Sequence, residues 1–143
     1  MSFYIITASA DTYITNKVIS NKFRATDSNV GRAGTLDLYR LFDESSVVVG
    51  SQRITSSVEE LSRILLKFDY EGIRPLMSTN MNVNHSSFKA ELQLFEVPSG
   101  TPTPRDFNVV CHPLTIDFDE GSGRNISGFS DVGVANFITA SYT

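Results

Sequence analysis

Short runs of alternating or β-branched apolar residues, broken by clusters of Gly, Pro, Asn, Asp and Ser, recur along the whole chain. The clearest lies at 62–69, where Ile64, Leu66 and Phe68 point one way and Arg63, Lys67 and Asp69 the other. Residues 88–97 repeat it, with Phe88, Ala90, Leu92 and Leu94 opposite Lys89, Glu91 and Gln93. At 36–42, Leu36, Leu38 and Phe42 face away from Asp37 and Tyr39, and Arg40 on the apolar side marks a strand leaving the core. Further strands are predicted at 3–8, 12–15, 107–112 and 114–118, and a last one begins at 136–141. The predicted core therefore contains Ile64, Leu66, Phe68, Leu92 and Leu94.

Helix signals are few. Ser57-Val58-Glu59-Glu60 has the form of a capping box with room for one turn, and residues 71–77 allow another. Long polar connections are expected at 20–34, 43–57 and 78–87, and the proline-rich stretch 98–104 reads as a crossover. About eight short strands with turns between them favour an all-β fold, a two-sheet antiparallel jelly-roll sandwich with long polar loops. The expectation is one β-sandwich domain over residues 1–143, complete or as the N-terminal part of a longer protein.

Composition narrows the function. The chain has 143 residues, a net charge of −4, and no Trp. A general nucleic-acid binder would show a basic face, which twelve scattered Lys and Arg do not suggest. The single cysteine, Cys111, follows Val109 and Val110 and reads as a small core residue. The first residues lack the basic and apolar regions of a signal peptide, and no apolar stretch approaches the roughly 20 residues that span a bilayer. No membrane partner is expected.

Catalytic templates fail in turn. His85 and His112 are isolated, and His85 reads as a solvated loop residue. Cys111 and His112 are adjacent, so on a strand they face opposite ways and form no catalytic pair. No phosphate-binding glycine loop or nucleophile elbow is present. The suggestive constellation is Asp117, Asp119 and Glu120 before Gly121-Ser122-Gly123-Arg124. Two readings stand: a calcium site built from these carboxylates, or a solvated turn partly neutralised by Arg124. Tyr13, Tyr39 and Tyr70 near strand ends are either sugar-stacking surfaces or half-buried sheet residues. No catalytic residue and no resident cofactor other than calcium is expected.

Several motifs carry a resemblance. Asp11-Thr12-Tyr13, Asn29-Val30-Gly31, Arg63-Ile64-Leu65-Leu66-Lys67-Phe68-Asp69, Glu120-Gly121-Ser122-Gly123 and Ala135-Asn136-Phe137 together resemble the DNRLRE-type domain, whose usual Trp is replaced here by Phe137. The opening stretch, Met1-Ser2-Phe3-Tyr4-Ile5-Ile6-Thr7 through Ile14, is similar to virion structural proteins of tailed phages, marine and cyanobacterial ones especially. The resemblance implies a jelly roll like that of carbohydrate-binding modules. It also implies turn-forming roles for Asp11 and Asn29, a special turn conformation at Gly31, and assembly into a particle after synthesis in a host cytoplasm. The expected partners are other virion proteins, further copies of the chain, and a host polysaccharide. Because the domain pattern normally continues beyond Phe137, an open sheet edge is expected near the terminus, with Phe137, Ile138 and Tyr142 at an interface.

Overall fold

The computed structural model describes residues 3–20, 22–49, 51–98 and 106–140, without the side chains of 43–49 and 53–56. Among these the regular secondary structure is mostly strand, with one six-residue helix. Its contacts separate into a unit of residues 8–67 and 116–143 and a unit of residues 1–7 and 68–115.

The first unit is built on a three-stranded sheet. Strand β1 (Ala8–Thr15) precedes the short strands β2 (Val18–Ile19) and β3 (Phe23–Arg24), and β4 (Arg40–Val49) then runs into β5 (Gln52–Phe68). The order is β1-β5-β4, with β5 central. β4 and β5 form a hairpin whose antiparallel register runs from Arg40 opposite Leu61 to Val49 opposite Gln52. On the other side Ser9 Oγ donates to the Lys67 carbonyl and Asn16 N–H to the Leu61 carbonyl, so β1 is antiparallel to β5 as well. β2 and β3 form a small separate ribbon, Val18 opposite Arg24. Ser20 takes a left-handed φ of 52° at its turn.

Two expectations change here. In the stretch 43–57, read as a loop, residues 43–49 and 52–57 form most of the hairpin: the Asp and Ser among them imitate turn chemistry, but ladder hydrogen bonds to a regular neighbour outweigh that preference. The Ser57–Glu60 capping box is likewise strand. Its carboxylates find partners outside any helix, Glu59 on Arg40 at 2.6 Å and Glu60 on the Val18 N–H at 3.0 Å.

Buried residues of this unit are apolar and polar in about equal number. Tyr13, Ala25, Val30, Phe118 and Ala135 are buried beside Thr12, Thr15, Ser28, Asn29, Ser62 and Asn136. Among the described residues no buried side-chain oxygen or nitrogen lacks a partner, which is what makes such a core tolerable. Ile64, Leu66 and Phe68 are half-buried, with Arg63, Lys67 and Asp69 outward as the alternation requires.

In the second unit Asp69 Oδ1 accepts the Glu71 N–H at 2.9 Å, and the chain turns into α1 (Arg74–Thr79), with Pro75 in its first turn. Ser78 and Thr79 hydroxyls donate back to the Pro75 carbonyl. The helix falls at the end of the 71–77 turn expected from sequence. Residues 88–97 and 107–118 form no strand among the described residues, and the core places predicted for Leu92 and Leu94 are not found: they are 46% and 53% exposed. Alternation creates a strand only where a neighbour supplies the ladder, and no described strand lies beside these segments. For the same reason Cys111 is exposed rather than in the core.

Candidate functional site

The residues of the sequence motifs converge on Asn29, which is 1% exposed. Its Nδ2 donates to the Glu120 carbonyl at 2.7 Å and the Ala135 carbonyl at 2.9 Å. Its Oδ1 accepts from Gly31 N–H at 3.1 Å and Gly123 N–H at 2.9 Å. Two donor hydrogens and two acceptor lone pairs are the full capacity of a carboxamide, so the side chain is saturated. A residue 91 positions away is thereby tied to the loop after β3.

The glycines around it follow from this approach. A Cβ on Gly31 would overlap the Glu120 carbonyl, and one on Gly123 the Asn29 carbonyl. Gly31 is therefore required by contact, not by the special turn conformation expected of it. The conformational demand falls on Gly121, whose φ is +78° and whose Cβ would meet Val134 and the Asn29 carboxamide.

A second asparagine repeats the device. Asn136 Nδ2 donates to the Val132 and Val134 carbonyls, both at 3.1 Å, and its Oδ1 accepts from the Ile138 and Thr139 N–H groups. Nothing in the sequence marked Asn136 apart from its neighbours in Ala135-Asn136-Phe137.

The three carboxylates considered for calcium do not converge. Asp117 pairs with Lys67 at 2.5 Å, and that hydrogen bond, helped by the Phe118 N–H, holds its carboxyl below the usual range. Glu120 Oε1 accepts the Asp11 N–H at 2.8 Å. Asp119 is exposed, and its backbone joins Ala140 and Ala135. Ser122 N–H and Oγ both donate to Asp131. Among the described residues no three His, Cys, Asp or Glu side chains gather closely enough to hold a metal ion.

Two tyrosines join β1 to the residues before β4. Tyr13 is buried and its hydroxyl donates to Asp37 Oδ2 at 3.3 Å; burial first, and the Asp37 carboxylate second, push its ionisation far upward. Tyr39 hydroxyl lies 2.6 Å from Thr15 Oγ1, which itself donates to the Leu61 carbonyl, and burial raises its ionisation too. Ser62 Oγ bridges the Asp37 carbonyl and the Tyr39 N–H. These tyrosines thus fill the half-buried reading. Tyr70, 51% exposed, instead borders a hollow of about 490 Å³ with Arg74, Met77 and Ser78.

The remaining candidates lie apart. His85 is exposed in its loop, with Nδ1 2.7 Å from Ser87 Oγ, and His112 is exposed. Arg63 lies over the Phe137 ring at 5.3 Å, Ile138 is 69% exposed, and Tyr142 falls outside the described residues. No helix among the described residues is long and apolar enough to cross a membrane. Comparison with family models, curated proteins and solved structures returns no match.

Proposed function

We propose that this chain is a non-enzymatic structural component of a phage particle, a decoration, fibre or tail-associated protein that works through repeated protein–protein contacts. The observation that carries the reading is how Asn29, Gly31, Glu120, Gly121, Gly123 and Ala135 are used. The positions that define the resemblance are occupied in holding one another. Such a site braces a scaffold whose contacts lie elsewhere, and many weak copies of a contact add up to strong attachment. The reading includes a two-sheet jelly roll, supported by the antiparallel sheets. Protein identification by mass spectrometry in purified particles tests it: stoichiometric recovery is expected, and absence from the particles overturns it.

A carbohydrate-binding role is the second reading. It is favoured by the exposed Tyr70, which offers a ring for stacking beside the Arg74 guanidinium, a donor for sugar hydroxyls or carboxylates. Calorimetric titration with host surface polysaccharide checks it, and loss of the heat signal in Tyr70→Ala assigns the ring. No heat with any host polysaccharide removes it.

A further inference from the structure

Within the unit that holds the three-stranded sheet, residues 116–140 are fastened to the body, residues 8–67, by specific polar contacts. The Asn29 carboxamide takes the Glu120 and Ala135 carbonyls and the Gly123 N–H. Ser28 Oγ donates to the Ile126 carbonyl at 2.6 Å, and the Phe137 N–H to the Thr26 carbonyl at 2.9 Å. The chain between body and segment is of another kind. Among the described residues of 68–115 none is buried, and α1, the one regular element there, buries no side chain. Large apolar side chains on this tether stand in solvent, Phe95 at 87% and Val110 at 70%. The tether leaves at Lys67 and returns at Asp117, whose side chains meet at 2.5 Å.

A segment held by specific contacts, on a tether with no core of its own, fits the body of another copy as well as its own. The same hydrogen bonds form in either place, and no packing within the tether has to be broken to move it. Exchange also has a gain that docking on the same chain lacks. Two tethers then cross side by side from copy to copy, and their exposed apolar side chains are brought together out of water. We propose that residues 116–140 are an exchangeable donor segment, which docks into the Asn29 bracket of a second copy of this chain while that copy's segment docks in return. A flexible tether of this length holds its own segment at an effective concentration of at most about 1 mM, so a neighbour competes as the chain approaches that concentration. The proposal goes beyond the virion reading and does not depend on it.

The Lys67–Asp117 pair reports which body a segment occupies, because a carbodiimide joins an amine and a carboxylate already in contact. Equal amounts of ¹⁵N-labelled and unlabelled full-length chain are unfolded together in urea, refolded at about 1 mM, the concentration at which exchange competes, and separated by size exclusion. The fractions are diluted, coupled, and read by mass spectrometry. Dimers are expected, with about half of their Lys67–Asp117 links joining a heavy chain to a light one, the share that random pairing gives. Monomers carry same-isotope links alone. Absence of a dimer at that concentration, or a dimer with only same-isotope links, overturns the proposal. A chain that does not refold from urea is tested as it is synthesised, by producing Lys67→Met and Asp117→Asn chains together in one cell. Both positions are exposed, and neither variant can form the link within itself. A Lys67–Asp117 link in the purified mixture is therefore the expected mark of exchange, and a mixture without it overturns the proposal.

Discussion

Replacing Asn29 by Ala deletes four hydrogen bonds from a place sealed against water. A typical intramolecular hydrogen bond contributes about 1 kcal/mol net, and each buried partner left unpaired costs about 1–3 kcal/mol. Water reaching the vacated space recovers part of this for Gly31 and Glu120, which are only half-buried. The expected loss is about 4 kcal/mol, a large share of the roughly 5–15 kcal/mol that holds a domain together. Urea unfolding followed by far-ultraviolet circular dichroism measures it. Asn29→Asp separates the donor half from the acceptor half, since it keeps an oxygen for Gly31 and Gly123 but turns a second oxygen toward the Glu120 and Ala135 carbonyls. A buried carboxyl facing carbonyls favours its neutral form, so its folded pKa lies above its unfolded one. The folded state then binds the extra proton, and this variant regains stability as pH falls through the folded value. A loss below about 1 kcal/mol in Asn29→Ala refutes the reasoning.

Four further outcomes rest on the same geometry. Gly121→Ala costs about 1–3 kcal/mol from its positive φ alone and more from Val134, read as a lower urea midpoint. Tyr13 and Tyr39 ionise only above the ordinary tyrosine range, so the stability they contribute is present below that range and lost as pH rises through their folded values; ultraviolet titration of Tyr13→Phe lacks the latest-titrating fraction. Lys67→Met raises the Asp117 carboxyl toward the usual carboxylate range in a carbon-detected NMR titration, because the larger of the two hydrogen bonds that lower it is gone while the Phe118 N–H remains. Excess chelator leaves the melting temperature unchanged, as Asp117 and Glu120 have other partners; a fall reversed by Ca²⁺ would restore the calcium reading.

Sequence patterning exposed what is local. Thr12–Thr15 and the 62–68 part of β5 were visible because a half-buried strand stamps its two-residue period on the chain. The hairpin through 43–57 was hidden, since nothing within Ser45-Ser46 or Ser56-Ser57 separates a turn from a ladder rung; only the pairing of Arg40 with Leu61 decides it. Leu92 and Leu94 show the reverse, a strand pattern with no strand beside it. At the site, the motifs singled out Asn29, Gly31 and Glu120 but gave the wrong reason for Gly31. Its need for a bare Cα comes from the Glu120 carbonyl, a neighbour the chain brings from far along the sequence.

The four bonds of Asn29 also set an order of events. Two of its long-range partners are 91 and 106 residues downstream, whereas β4 and β5 are consecutive strands paired with each other. During synthesis, from the N-terminal end, the hairpin can close while the carboxamide of Asn29 waits for Glu120, Gly123 and Ala135 to leave the ribosome. Contacts of such sequence separation close late, after most of the loop entropy is spent. Weakening this peg should accordingly speed unfolding far more than it slows folding. The bracket around Asn29 therefore acts as a latch on the finished protein, governing how long it stays shut rather than how quickly it forms.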